Sequence, residues 1–339
     1  MSLLPKKFID AHHHFVDTKN NKFQSFLSKL IPDVIYIPED YDRDVVDPLA
    51  KAGIELVASV HVECMPDSGE EECAWVSSLP STVKAIVASC DLAQPTADEE
   101  LEKLKQSSSM VRGVRWILDC VGKFEPNTAT HVATSRHDGI DYLRGSNGGY
   151  DGQVLPEFER GYALLEKYGL SFDLQCAPVQ LLQAAEMIAK YPNVKVCLDH
   201  MGKPRTLLGE DVEANTNTVP NEHELAVWRE GMKAMAALPN VYVKISMLGY
   251  SVPGWIRSQG RTAVMRNLVR ETVQLFGPSR CMVATNWWKS AALSDADGLS
   301  DIGPDPVQLI NAISSFLDEY SEDDRNKIFY TTACDFYSI

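Results

Sequence analysis

The chain lacks the features of a membrane, secreted or nucleic-acid-binding protein. No apolar run approaches the length of a membrane span, and the amino terminus has no long apolar segment typical of a signal peptide. Lysine and arginine number 32 against 47 aspartates and glutamates, which gives a formal net charge of -15 at pH 7. A surface of that sign repels phosphate backbones and anionic lipids. We therefore expect no nucleic-acid or membrane partner and a small-molecule substrate.

The cysteines give no sign of a disulfide or metal framework. None of the eight forms a C-x-x-C pair, and most lie in apolar runs, where cysteine behaves as a small buried hydrophobe. This usage predicts a reduced, cytoplasmic protein. The composition, 45% hydrophobic and 23% charged, is otherwise that of a globular protein, and a homo-oligomer is allowed.

Short apolar runs alternate with amphipathic segments along nearly the whole chain. The runs predict strands at 7–14, 55–63, 83–89, 111–118, 170–175, 194–200, 241–247 and 280–286. The helices predicted after them cover about 43–52, 69–79, 97–108, 155–168, 178–190, 221–237, 260–276 and 305–319. Pro156 and Pro178 near helix starts, and Gly53, Gly169 and Gly277 just past helix ends, support these bounds.

Eight β-then-α units predict an α/β fold in which a parallel sheet closes as a (β/α)8 TIM barrel, in one domain over 1–339. The alternative is an open doubly wound sheet, but no G-x-G-x-x-G follows a strand. The long irregular stretches all lie between a strand and the next helix, so they would gather at the rim where barrel active sites lie. One of them, 119–153, is either a lid or an exposed insertion without a role.

The first candidate for chemistry is Asp10–His14, with the sequence DAHHH. Side chains alternate along a strand, so Asp10, His12 and His14 are expected on one face and His13 on the other. Two imidazoles at i and i+2 can bind one metal ion or one substrate carbonyl. A purification tag would carry more histidines, and the apolar residues on both sides are typical of a native strand.

His200 ends the sixth predicted strand and is expected to point toward the same rim. Polar residues at other strand ends share this placement, and they are costly in apolar strands unless paired or used. The pairs that share a face are His61 and Glu63, Gly113 and Arg115, Asp173 and Gln175, Lys244 and Ser246, and Ala284 and Asn286. Arg115 and Lys244 could instead form structural ion pairs, and Gln175 could satisfy backbone groups.

Seven short segments, taken in chain order, carry a resemblance to a known family. They are IDAHHH, VHVE, GVRWIL, LSFDLQ, LDHMGKP, VKIS and RCMVATNWW. Together they resemble the amidohydrolase-2 family, across the chain from the first strand to the eighth. Within it they are similar to the lactonase-like branch, which includes sugar-acid lactonases and pyrone-dicarboxylate lactonase. The resemblance implies a distorted barrel that hydrolyses a lactone or related ester, with or without a bound divalent metal.

The resemblance also implies roles for individual residues. His12 and His14 match the family's H-x-H pair, and His200 matches its sixth-strand histidine; these three would hold the metal. Arg115 matches a strand-four arginine used on substrate carboxylate or hydroxyl groups. Asn286 stands where many members carry an aspartate that binds metal or takes a proton from water. An amide has no basic oxygen at neutral pH, so Asn286 cannot be the general base, although it can hydrogen-bond substrate or water.

The sequence therefore predicts a hydrolase of carboxylic ester bonds that opens a lactone of a sugar acid or small carboxylated compound. His12, His14 and His200 would polarise the carbonyl, directly or through a divalent ion, with zinc the first choice. The predicted base is Glu63, at the end of strand two. The alternative carboxylates are Asp10 and Asp173, and the predicted substrate ligands are Arg115, Gln175 and Lys244.

Two other functions stay open at this point. A metal-dependent decarboxylase of the same family would rely on an aspartate in strand eight, and Asn286 counts against it. A barrel that has lost its base could also bind a metabolite without catalysis.

Overall fold

The computed structural model describes residues 4–119, 140–145, 153–204, 207–208, 218–252, 254–287 and 306–339. Eight strands form one parallel sheet in chain order: β1 Lys7–His13, β2 Glu55–Val62, β3 Val83–Ser89, β4 Val111–Arg115, β5 Ser171–Leu174, β6 Val196–Leu198, β7 Val241–Ile245 and β8 Cys281–Val283. A parallel bridge between His13 and Trp287 joins the first strand to the segment after the last. The predicted (β/α)8 barrel is confirmed.

The helices follow the strands as the apolar periodicity predicts. Their bounds are α1 Ser25–Leu30, α2 Pro38–Tyr41, α3 Asp47–Lys51, α4 Gly69–Ser78, α5 Ala97–Ser107, α6 Pro156–Tyr168, α7 Leu181–Ile188, α8 Glu222–Ala236, α9 Leu248–Ser251, α10 Gln259–Phe276, α11 Pro306–Phe316, α12 Glu322–Asn326 and α13 Thr332–Tyr337. Two π-helical turns, Asp42–Val46 and Lys327–Thr331, run into α3 and α13. Short 3-10 turns cover Lys22–Gln24, Pro178–Gln180, Asp199–Gly202, Trp255–Arg257 and Pro278–Arg280.

Local chemistry fixes several of these ends. The side chains of Ser68, Asn221 and Ser258 accept backbone N–H groups at the starts of α4, α8 and α10. Gly169 ends α6 with φ 62°, a left-handed conformation that glycine adopts without steric cost. None of the described helices is both long and apolar enough to cross a bilayer.

Among the elements outside the eight predicted units, a strand pair and a carboxy-terminal helix bear on the site. A small antiparallel pair, Val16–Asp17 with Ile35–Tyr36, lies in the first rim loop. Helix α13 packs into the barrel: Ala333, Phe336 and Tyr337 join an interior cluster formed by strand residues such as Ile9, Val60, Val87, Cys197 and Met282. The proposed lid at 119–153 lies mostly outside the described residues.

Candidate active site

The chain turns sharply where several strands meet the rim. Met65, His200, Met247 and Asn286 all have positive φ, between 50° and 56°, and follow β2, β6, β7 and β8. Such a backbone costs a residue other than glycine about 1–3 kcal/mol, and it clusters at functional sites. The strain is therefore concentrated at the rim where the sequence placed its candidate residues.

His12 and His14 face each other at the end of β1, with their Nε2 atoms 3.2 Å apart. The Nδ1 atom of His14 lies 2.7 Å from the Val62 carbonyl oxygen, which can only accept, so Nδ1 carries the proton and Nε2 keeps its lone pair. Burial, followed by the charge of Lys244, lowers the pKa of His12; burial and Arg115 do the same for His14. Both imidazoles are therefore neutral at pH 7.

This pair fits a divalent metal ion. Two nitrogens about 2.0–2.1 Å from one tetrahedral zinc lie roughly 3.3 Å from each other, which is close to the observed separation. Asn286 Oδ1 lies 3.3 Å from His14 Nε2. When His12 keeps its proton on Nδ1, the lone pairs of His12 Nε2 and Asn286 Oδ1 both lie close to that of His14 Nε2, an arrangement that a cation would stabilise.

His200 also lies next to His12. The two ring centroids are 5.0 Å apart, and the His12–His14 separation is 4.9 Å. His200 Nδ1 is 2.9 Å from the Ser246 hydroxyl at the end of β7, which holds the ring in place. Burial keeps the pKa of His200 well below its usual range. The structure thus brings His12 into contact distance of both histidines that the sequence paired with it.

Asp199 is a residue that the sequence analysis missed. Its Oδ1 lies 3.5 Å from His12 Nδ1, and donor atoms of His12, Asp199 and His200 all lie within 4.8 Å of one another. Alternation along β6 could have found it, because Cys197 lies in the barrel interior and Asp199 has the same parity. His200 points inward as well only because its left-handed backbone breaks that alternation.

Arg115 joins the histidines to the carboxylates. Its Nε donates to Glu63 Oε1 at 2.8 Å and its Nη2 to the Glu63 backbone oxygen at 2.7 Å. Its Nη1 lies 3.2 Å from Gln175 Oε1, 3.3 Å from Asp199 Oδ2 and 3.4 Å from His12 Nε2. Every nitrogen of the guanidinium therefore has a partner inside the protein, so its charge is already matched by internal carboxylates.

Lys244 lies beneath His12, between two buried aspartates. Its Nζ donates to Asp173, lies 3.0 Å from Asp199 Oδ1 and approaches His12 Nδ1 to 3.3 Å. Burial raises the pKa of Asp173 to about 6 in spite of Lys244. Burial alone would also raise the pKa of Asp199, but Lys244 and His12 hold it well below its usual range. Of the two carboxylates, Asp173 is therefore the one that is protonated more readily as pH falls.

Two face assignments made from the sequence are wrong. Asp10 accepts hydrogen bonds from Tyr41 Oη at 2.7 Å and Thr285 N at 2.8 Å, away from His14, because the β1 register shifts between Asp10 and His13. His61 stacks on Phe15 and lies 3.7 Å from Glu72, so it does not share the site with Glu63. Both residues support the rim from outside the histidine cluster, which is formed by His12, His14 and His200.

Substituting Arg115 by lysine tests whether it binds the substrate. We expect Arg115→Lys to lower the free energy of unfolding by roughly 1.5–3 kcal/mol, because lysine cannot replace the hydrogen bonds of the guanidinium to charged groups. The control is Arg112→Lys, on the same strand and half-buried. Urea unfolding measures the stability, and kcat/KM is compared for a neutral and a carboxylated lactone. A selective loss for the carboxylated compound, with stability unchanged, would instead make Arg115 a substrate ligand.

Comparison with known proteins identifies a family that the sequence matches. A family model described as "Amidohydrolase" matches residues 9–339. An L-fucono-1,5-lactonase of Burkholderia ambifaria is 24% identical over 335 residues, which cover 98% of this chain and 95% of the relative.

Solved structures agree with the fold. An amidohydrolase from Burkholderia multivorans with bound zinc has a TM-score of 0.66 at 21% identity, over 98% of this chain and 99% of that one. A putative 2-pyrone-4,6-dicarboxylic acid hydrolase from Pseudomonas putida has a TM-score of 0.64 at 15% identity, over 100% and 98%. At these identities the likeness is one of fold.

Proposed function

The chain belongs to the amidohydrolase family, and we propose that it is a lactonase that opens a sugar-acid lactone or a small carboxylated lactone. The observation that carries this proposal is the His12–His14 pair at the barrel rim, with neutral rings and Nε2 atoms 3.2 Å apart. Such a pair can bind and polarise an ester carbonyl, directly or through a metal. The lactonase named among the relatives supports the substrate class.

His12, His14 and His200 are the residues that we propose as metal ligands, with Asn286 Oδ1 next to them. The donor atoms that already lie within 4.8 Å of one another are those of His12, Asp199 and His200, a group without His14, so binding by all three histidines would require the rings of His14 and His200 to turn toward one ion. Imidazole donors suit zinc, and the similar Burkholderia multivorans protein was solved with zinc bound. When bound, the ion would supply Lewis-acid polarisation of the substrate carbonyl. Asp199, next to His12 Nδ1, would keep the ring in the tautomer whose Nε2 faces His14.

In the reaction, water adds to the lactone carbonyl carbon and the bond from that carbon to the ring oxygen breaks. One water proton must go to a base, and the ring oxygen must gain a proton as it leaves. Asn286 cannot serve as the base, and Asp199 is a weak one because its pKa is held low. Asp173 is occupied by Lys244 deeper in the barrel. We therefore propose Glu63, whose two oxygens each accept one donor and retain a further acceptor position.

Substituting the proposed base should slow the reaction and leave the histidine pair in place. We expect Glu63→Gln to lower kcat by roughly 10²–10⁴, the usual effect of losing a general base. Glu72→Gln is the matched control, because Glu72 is equally buried but contacts Cys64 N and His61 outside the histidine cluster. Steady-state kinetics and thermal unfolding should be measured on both variants. An unchanged kcat with a lowered Tm would leave Glu63 only as the anchor of Arg115.

The function itself is tested with a panel of neutral sugar 1,4- and 1,5-lactones and carboxylated lactones, followed by proton release at neutral pH. Each turnover at pH 7 releases one proton, because the carboxylic acid product ionises. The panel is run on metal-free protein and after addition of Zn²⁺. Absence of turnover on the whole panel in both states, with His12 and His14 intact, would overturn the proposal.

A further inference from the structure

A chain of buried polar contacts links α13 to the histidines at the opposite mouth of the barrel. The contacts of α13 lie at the amino-terminal mouth: Thr332 Oγ1 donates to the Pro278 carbonyl just before β8, and Phe336 packs on Tyr242 at the start of β7. Tyr337, next to Phe336, is completely buried in the interior of the barrel. Its hydroxyl therefore approaches the site from below.

The contacts run in one direct sequence. Tyr337 Oη donates to Asp173 Oδ2 at 3.1 Å, and Asp173 accepts from Lys244. Lys244 Nζ lies 3.0 Å from Asp199 Oδ1 and 3.3 Å from His12 Nδ1. All five side chains are completely or almost completely buried, so water does not compete for these contacts. Low dielectric makes each of them sensitive to the position of the next.

The Tyr337 hydroxyl can affect Asp199 because Asp199 and Asp173 share Lys244. Asp173 and Asp199 both draw on a single ammonium group, and the Tyr337 hydroxyl gives Asp173 a second donor. Without the hydroxyl, Asp173 would depend more on Lys244 and draw it away from Asp199. Asp199 would then hold His12 Nδ1 differently, and the tautomer and direction of the His12 ring would change.

We propose that Tyr337 is a positioning residue for the histidine centre, acting through Asp173, Lys244 and Asp199 on His12. This inference rests on the proposed function only in taking His12 as part of the reactive centre. A merely structural role would be to satisfy one buried hydroxyl and one carboxylate, and removal would then lower stability alone.

The test compares Tyr337→Phe with Tyr162→Phe. Tyr162 is equally buried, in α6, and its hydroxyl has no hydrogen-bond partner in the part of the chain that the structure describes. The first readout is the dissociation constant for Zn²⁺, measured on metal-free protein by competition with a chelator. We expect Tyr337→Phe to weaken Zn²⁺ binding roughly 10-fold, the lower end of the effect of outer-shell partners, and Tyr162→Phe to leave it unchanged.

The second readout needs neither metal nor substrate. Ring ¹⁵N chemical shifts of His12, assigned with a His12→Gln spectrum, report its tautomer in metal-free protein. We expect them to move in Tyr337→Phe and to stay in place in Tyr162→Phe. Unchanged His12 shifts and unchanged Zn²⁺ affinity, with only a lowered Tm, would overturn the inference. If the wild-type protein binds no Zn²⁺, the metal-dependent form of the proposed function fails, and the ¹⁵N shifts alone decide the role of Tyr337.

Discussion

His12→Ala is expected to lower kcat/KM by about 10³-fold or more, at the top of the range for loss of one electrostatic stabiliser. His12 is the side chain that contacts His14, Asp199, Lys244 and Arg115 at once. Its removal deletes one of the two facing Nε2 atoms, and with it the imidazole that lies next to Asp199. Zinc content should fall in parallel, measured by metal analysis of protein prepared without a histidine tag.

The neighbouring histidine provides the control for this substitution. His13 is completely buried and stacks on Tyr41 with ring centroids 4.5 Å apart, and its ring nitrogens make no hydrogen bond within the described residues. His13→Ala should therefore lower Tm while kcat/KM and zinc content stay near the wild-type values. Equal losses of activity in the two variants, below the Tm of both, would show that His12 matters only for the integrity of β1.

Lys244→Met is expected to have the largest effect on stability. It would leave Asp173 and Asp199 buried without their shared ammonium group, and breaking a buried ion pair costs roughly 3–5 kcal/mol. The control is Lys190→Met, whose partner Glu159 is at the surface, where an ion pair contributes about 0–1 kcal/mol. The free energies of unfolding of both variants are measured by urea unfolding, with one m-value fitted to all curves. A loss of stability no larger than that of Lys190→Met would mean that Arg115 alone stabilises the charges of Asp173 and Asp199.

The pH dependence of that loss follows from the aspartates. The pKa of Asp173 is already raised to about 6 by burial, and without Lys244 it would rise further. A carboxyl group whose pKa is higher in the folded than in the unfolded state destabilises the fold as pH rises above the pKa of the unfolded state. The reason is that ionisation in the interior is unfavourable. The stability difference between Lys244→Met and wild type should therefore be smaller at pH 6 than at pH 8.

Repetition made the fold predictable from the sequence. Eight apolar runs, each followed by an amphipathic segment, agree with the strands and helices of the barrel, although β6 ends at Leu198 instead of residue 200. Periodicity could not predict α13 as an interior element. An amphipathic helix can cover the outside of a sheet or fill the end of a barrel, and only the tertiary packing of Phe336 and Tyr337 distinguishes the two.

Strand alternation gave part of the site and failed where the backbone departs from a regular strand. It brought Lys244 and Ser246 to the same face of β7, where one contacts His12 and the other His200. It failed for Asp10, because β1 changes register before His13. It was not applied to Asp199, because His200 was expected at the rim from its place at the end of the predicted strand; His200 in fact has a left-handed φ of 56°. Register shifts and positive φ values leave no clear trace in a single sequence.

The contact between His14 and Asn286 spans 272 positions of the chain, and Asp10 and Thr285 are 275 apart. At a synthesis rate of about 5–20 residues per second, a ribosome takes on the order of tens of seconds to cover that distance. During this interval one edge of β1 lacks its partner, the segment that follows β8. An incomplete barrel with such an unpaired edge can pair with other chains. The centre cannot form in any amino-terminal fragment that lacks β8. Expression yield should therefore depend on protection of the nascent chain by chaperones more strongly than for a protein whose site is local in sequence.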